Sequence, residues 1–209
     1  ALLPINNEAI ISKIIKKFPA YYDFIITLGH KGNELKQYLN LAFPNTNFTF
    51  IDIDNYDHKN SGPGTTALKC KQYLQRPFYW IVSDCVLDSE IPHLDGNWLG
   101  VQETSYPEKY ATVEIDKLDN IKRLKGKSLE GFDYAYIGLA SIYEYEVFWE
   151  ELEKNIYKGE IVSAFQNFRP SFTPFRIIAI VYWFIFGLFN FISPYSFHIR
   201  IHCIISCQR

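Results

Sequence analysis

The residues best suited to chemistry in the first half of the chain lie in two short stretches. Ser61-Gly62-Pro63-Gly64-Thr65 is a glycine-proline turn, and Asp84 ends the aromatic and β-branched run "PFYWIVSD" at residues 77–84. Glycines let backbone N–H groups approach a ligand closely, and a helix N-terminus behind them favours an anion or a polar base edge. A carboxylate carried out of the end of a strand suits Mg2+, which takes one or two carboxylates and completes its shell with phosphate oxygens and water. Each feature also has an ordinary reading. A Gly-Pro-Gly turn is more often only a turn, and a strand-terminal Asp is a cap or loop residue about as often as a metal ligand. Their order along the chain is what joins them into one candidate.

Other polar groups carry less. Asp52, Asp54, Asn55, Asp57 and His58 read as a solvated loop bordering the same site rather than a cation cage. His30 and Lys31 follow another strand end, where they could approach a phosphate or simply lead into a helix. His198, His202, Cys203 and Cys207 show the i, i+4 spacing of helical zinc ligands. With no acid shell and no second clear pair, an accidental cluster in an apolar tail is the plainer reading.

The elements that must position these residues follow from periodicity. "EAIISKIIKK", 8–17, puts four isoleucines on one helical face, with Asn7 as N-cap and Pro19 beyond the end. "DFIITLG", 23–29, is a continuous apolar run of the kind buried in a parallel sheet. "GNELKQYLNLAF" is a helix with Leu35, Tyr38, Leu39 and Ala42 inward, and "FTFIDID", 48–54, alternates as a strand. A third helix is expected over 65–74 and a third buried strand over 77–84. This rhythm predicts a doubly wound, mostly parallel, three-layer α/β sheet, with 24–28, 48–53 and 78–83 as neighbouring strands. A smaller mixed β half follows, from "NWLGVQE", a hairpin turning at Leu118-Asp119-Asn120, and "FDYAYIGLASI". Amphipathic helices are expected over 144–155 and 160–168.

Composition divides the 209 residues near Phe168. All 23 acidic residues precede that point, whereas the tail holds four arginines and no Asp, Glu or Lys. The organisation expected is an α/β domain over 1–168 and an apolar tail over 169–209. The run Ile177–Ile192 is 16 residues long, short of the ~20 that span a bilayer. Three readings of the tail stay open: sequence not native to this fold, a membrane anchor through 177–192, or a buried core helix. A net charge of −2 leaves no footprint of nucleic-acid binding. Four cysteines, two of them in core-like segments, fit a reducing cytosol better than a secreted disulfide framework.

In collinear order, several segments resemble the sugar-phosphate nucleotidyltransferases. "LLPINNEAIISKIIKKF" resembles the stretch that follows that family's signature loop, and "FIITLGHKGNELKQYL" its second strand and helix. "SGPGTTALKCKQYL" stands where the family reads the nucleotide base, and "FYWIVSDC" where an Asp binds the metal. "YATVEIDKLDNIKRLKGK" is similar to the hairpin after which a Lys contacts the sugar phosphate. "YAYIGLASI" and "GEIVSAFQNF" are similar to the strand and helix that hold the sugar. The resemblance covers residues 1–168. It implies that Ser61, Gly62, Gly64 and Thr65 bind the nucleotide, and that Asp84 holds Mg2+. It further implies that Lys127 (or Lys125) meets the sugar-1-phosphate, and that Gly138 and Glu160 meet the sugar.

The reaction implied is attack of a phosphomonoester oxygen on the α-phosphorus of an NTP with release of pyrophosphate, a cytoplasmic step toward nucleotide sugars and capsule or other polysaccharide. The chain departs from the family pattern at both ends. The glycine-rich loop with its basic residue would precede Ala1, and the tail offers no acid as the second metal ligand. The machinery is thus expected to be incomplete in this chain. A non-catalytic nucleotide- or sugar-binding relative, or a membrane-associated component of glycan assembly, are the competing classes.

Overall fold

The computed structural model describes residues 1–54, 61–118, 120–156, 161–167, 173–176 and 202–206. The chain opens with a two-stranded ribbon, β1 (Pro4–Ile5) and β2 (Glu8–Ala9). Asn6 and Asn7 connect them with φ of 52° and 63°, the left-handed pair that a tight hairpin needs and asparagine tolerates. Asn7 is therefore a turn residue and not the helix cap expected from the sequence. Helix α1 (Ile10–Ile15) starts later, from extended Ala9.

Next come β3 (Phe24–Leu28), α2 (Gly32–Ala42), β4 (Phe48–Asp52), α3 (Pro63–Cys70) and β5 (Phe78–Val82). The mixed half adds β6 (Trp98–Glu103), the hairpin strands β7 (Thr112–Ile115) and β8 (Ile121–Lys125), and the long β9 (Tyr134–Ile142). It is completed by α4 (Tyr145–Lys154), α5 (Val162–Asn167), β10 (Thr173–Arg176) and β11 (His202–Ser206).

One sheet carries the order β10-β6-β9-β5-β11-β3-β4, with the β7–β8 hairpin branching from β9. β3 and β4 pair parallel, and β11 runs antiparallel to both β3 and β5. β9 is antiparallel to β5 and β6, and β10 is parallel to β6. So β3, β4, β5, β6 and β10 all point one way. The three expected strands do share a sheet, but β5 is not the direct neighbour of β3. β11 stands between them, with Cys203 opposite both Ile26 and Ile81. An interior slot leaves N–H and C=O groups on both flanking strands in need of partners, and β11 supplies them. Composition set the tail apart, yet backbone pairing ties β10 and β11 to the body. Among the described residues no helix is long and apolar enough to cross a membrane, and 177–192 lies outside them.

Alternation along the strands divides the core in two. On one face Ile11, Ile14, Leu35 and Leu39 of α1 and α2 meet Phe24, Ile26, Tyr79 and Ile81. On the other, Ala67, Cys70, Phe148, Trp149, Leu152 and Phe165 of α3, α4 and α5 meet Ile25, Phe78 and Trp80. The rings of Phe78 and Trp149 stack at 5.5 Å, and Trp149 Nε1 donates to the Leu74 carbonyl at 2.9 Å. These are the three layers expected, with β5 at the centre and edge strand β4 only half-buried.

Candidate functional site

Because β3, β4, β5 and β6 run in parallel, their carboxyl ends share one edge of the sheet. Crevices outside that edge are where open α/β sheets bind ligands. The Ser61–Thr65 turn reaches this edge after β4 and starts α3, which runs back beneath the sheet toward β5. Asp84 follows Val82 there, and β9 begins there at Tyr134.

The turn is internally bonded. Gly62 is extended, its N–H donates to Thr65 Oγ1 at 3.0 Å, and Thr65 Oγ1 donates back to the Gly62 carbonyl at 2.9 Å. Pro63 in the first turn has no N–H to satisfy, and its fixed φ suits the helix start. The Thr66 N–H closes the first helical bond onto the Gly62 carbonyl at 3.0 Å. That leaves the N–H groups of Gly64 and Thr65 as first-turn donors without an intrahelical acceptor. Thr65 thus shapes the turn with its side chain and offers a ligand its backbone. Thr65→Val should cost about 1 kcal/mol through loss of the cap, read as a lower urea midpoint at unchanged slope.

Asp84 is exposed and makes no ion pair or hydrogen bond among the described residues. Its neighbours are fixed. Cys85 N–H donates to the Val82 carbonyl at 3.2 Å, and Cys85 and Leu87 are buried against the α1 face. Beyond them, Lys17 Nζ holds the carbonyls of Asp88 and Ser89 at 3.0 and 3.1 Å. Tyr79 Oη donates to the Pro92 carbonyl at 2.7 Å, and Ser141 Oγ to the Gly96 carbonyl at 2.6 Å. The backbone beyond Asp84 is thus held in place, while its carboxylate stays uncommitted. Burial disfavours the thiolate form of both buried cysteines of the body. Burial, and then the Asp84 charge, pushes Cys85 up to about 12, and burial does the same to Cys70.

β9 pairs with β5 through residues 139–142 and with β7 through Tyr134 and Ala135. The β7–β8 hairpin therefore takes over the column of the sheet where β5 stops, above Asp84. Its turn is closed by Asp116 Oδ1, which accepts from the N–H groups of Leu118 and Asn120 at 2.8 and 2.9 Å. Glu114 is paired with Arg123 and Lys122, which hold its carboxyl below the ordinary range.

The two lysines left open by sequence now differ. Lys125 Nζ donates to the Glu130 carbonyl at 3.0 Å and closes the following loop, whereas Lys127 is exposed and unpaired among the described residues.

Gly138 sits at a bulge. Leu99 faces Ala140 but Val101 faces Tyr136, so β9 carries extra residues between them. Its φ is +83°, and a Cβ there would lie 2.2 Å from Val82 Cγ2. The glycine lets β9 press onto the last residue of β5, two positions before Asp84.

Strand direction thus puts Gly62, Gly64, Thr65, Asp84 and the Gly138 bulge along one edge, and the lysine-bearing hairpin branches from β9 beside it. Glu160 lies outside the described residues, as do Asn55, Asp57, His58, His198 and Cys207. Asp52 ends β4, and Lys31 takes a left-handed φ of 56° leading into α2. Among the described residues no group of three His, Cys, Asp or Glu is placed to hold a metal. Two features escaped the sequence: the pin from Lys17, and a buried hydroxyl on Tyr136.

No protein-family model and no curated protein sequence matches the chain. Solved structures do. A protein assigned as a glucose-1-phosphate thymidylyltransferase of Bacillus anthracis, with sucrose bound, superposes with a TM-score of 0.71 at 20% identity, covering 84% of this chain and 77% of its own. The CTP:phosphocholine cytidylyltransferase of Streptococcus pneumoniae gives 0.67 at 14% identity, covering 86% and 80%. The inositol-1-phosphate CTP transferase of T. maritima gives 0.61 at 12%, covering 84% and 75%. At these identities the likeness establishes the fold, that of the sugar-phosphate nucleotidyltransferases.

Proposed function

We propose that this chain is a nucleotidyltransferase-like domain of the kind that joins an NTP to a sugar-1-phosphate or similar phosphomonoester and releases pyrophosphate, with its machinery incomplete in these residues. What supports the reading is a glycine turn, a strand-terminal carboxylate and a bulged glycine at one sheet edge, with a lysine-bearing hairpin branching beside it, in a fold shared with enzymes named for this reaction. The phosphomonoester oxygen attacks the α-phosphorus, the new P–O bond forms, and the bond to the departing pyrophosphate breaks. Positioning and charge neutralisation suffice for such a displacement, and no covalent nucleophile is required.

In this reading the backbone N–H groups at Gly64 and Thr65 bind the nucleotide, aided by Ser61 and Gly62. Lys127 holds the acceptor phosphate, and Gly138 and Glu160 are assigned to sugar binding. Asp84 fits Mg2+, being a hard oxygen donor, exposed and uncommitted, on a pinned segment. The metal would neutralise phosphate charge and hold the pyrophosphate leaving group.

The site residues all fall within 1–168, proposed as the catalytic unit, and two strands from 169–209, β10 and β11, complete its sheet. A cytoplasmic role in supplying activated sugars for surface polysaccharide follows from the substrates, with membrane contact assigned to 177–192 alone.

The test is NTP binding by calorimetry with and without Mg2+, together with pyrophosphate release from a panel of NTPs plus glucose 1-phosphate. Binding that requires Mg2+ and release that requires the acceptor support the reading; nucleotide binding that is absent or indifferent to Mg2+ overturns it. Lys127→Met should raise the acceptor KM by about tenfold and leave the NTP KM alone, while Lys125→Met should act mainly on stability.

A further inference from the structure

Tyr136 stands at the seam between the end of β5 and the start of β7. Its N–H donates to the Ala111 carbonyl at 2.8 Å, and it faces Val101 across the sheet. Gly138, the bulged residue against Val82, is two positions on. The ring packs edge-on to Phe165 of α5 with centroids 5.6 Å apart. Yet its hydroxyl is buried and finds no hydrogen-bond partner among the described residues. Burial, then the nearby Cys85, raises the phenol well above its ordinary value, so it stays protonated and able to donate.

We propose that the Tyr136 hydroxyl is an acceptor-binding group that selects a polyhydroxylated phosphomonoester over one carrying a quaternary ammonium. The inference rests on the nucleotidyl-transfer reading and narrows its acceptor. A buried hydroxyl without a partner carries a desolvation cost that phenylalanine would avoid. A ligand hydroxyl entering the seam supplies the missing partner. A trimethylammonium group would use only the face of the ring, where phenylalanine also serves. The location agrees: the seam lies between the Lys127 hairpin, assigned to the acceptor phosphate, and Gly138, assigned to the sugar.

Tyr136→Phe removes only the oxygen. On the full chain it should weaken glucose 1-phosphate about tenfold, by calorimetry and by KM, with the NTP KM and any phosphocholine binding unchanged. Its melting temperature should match or exceed the parent's, because a cost has been removed. Unchanged glucose 1-phosphate affinity in a Phe variant of equal or higher stability overturns the proposal and marks the hydroxyl as a structural defect. A parent that accepts phosphocholine and refuses glucose 1-phosphate overturns it as well. If neither protein transfers a nucleotide but glucose 1-phosphate binds the parent and not the variant, the transfer reading fails while the Tyr136 contact stands.

Discussion

Replacing Asp84 with alanine is expected to abolish the Mg2+ dependence of NTP binding and, in an enzyme with its machinery complete, to lower nucleotidyl transfer on the order of 10²- to 10⁴-fold. The triphosphate brings several negative charges to a sheet edge whose described cations are few. Lys125 is held by Glu130, and Lys122 and Arg123 are spent on Glu114. A divalent cation held by Asp84 would offset that charge. The fold should not suffer, because the Asp84 side chain is exposed and supports nothing around it. Its stability should stay within about 0.5 kcal/mol of the parent's. Asp84→Asn keeps the shape and removes the charge, so it should resemble the alanine variant in rate. An alanine variant that binds Mg-NTP like the parent would show that the carboxylate is only a loop residue.

The parts of this site that were legible in the sequence are those set by local pattern. β3 and β5 read as buried strands because "FIITL" and "FYWIV" are continuous apolar runs, and a run of that kind must be covered on both faces. Asp84 could be placed on the functional edge from this alone, since the strand direction and the run's end fix it. What stayed hidden depends on contacts far apart in sequence. Lys17 reads as one more charge at the end of an amphipathic helix, and only the tertiary fold brings it to the carbonyls of Asp88 and Ser89. The placing of β11 between β3 and β5 is hidden for the same reason. Its pattern shows a possible strand but not the slot it enters. Asn7 illustrates a local competition. The same residue type that caps helices also takes the left-handed turn conformation, and pairing of Ile5 with Glu8 settled it as a turn.

Gly138 shows a resemblance and a geometry meeting at one residue, and it yields the largest stability effect expected. The resemblance marks Gly138 as facing a sugar, which by itself calls only for a small residue. The structure adds a steric demand from the other side. Gly138→Ala would place a Cβ 2.2 Å from Val82 Cγ2, 3.0 Å from its Cγ1 and 3.2 Å from its Cβ, at a φ of +83°. The left-handed conformation costs an alanine about 1–2 kcal/mol. Overpacking adds about 1–3 kcal/mol, and a β-branched valine in a strand has few rotamers into which to retreat. The expected loss is about 2–5 kcal/mol, a large share of the roughly 5–15 kcal/mol that holds a domain folded.

Val82→Ala in the same chain removes both γ-methyls and relieves the clash but not the backbone strain. The pair should therefore be less destabilised than the sum of the single variants by about 1–3 kcal/mol in a double-mutant cycle. Where Gly138→Ala still folds, the shift passes from Val82 to Asp84 through two residues of chain. Displacing a reacting geometry by about 1 Å can cost on the order of 10²-fold in rate, so kcat should fall further than the nucleotide affinity. Urea melts of the four proteins in the cycle, with transfer rates on those that fold, decide the matter. A Gly138→Ala protein as stable as the parent, or a cycle with no coupling to Val82, would remove the bulge from any account of how the site is held.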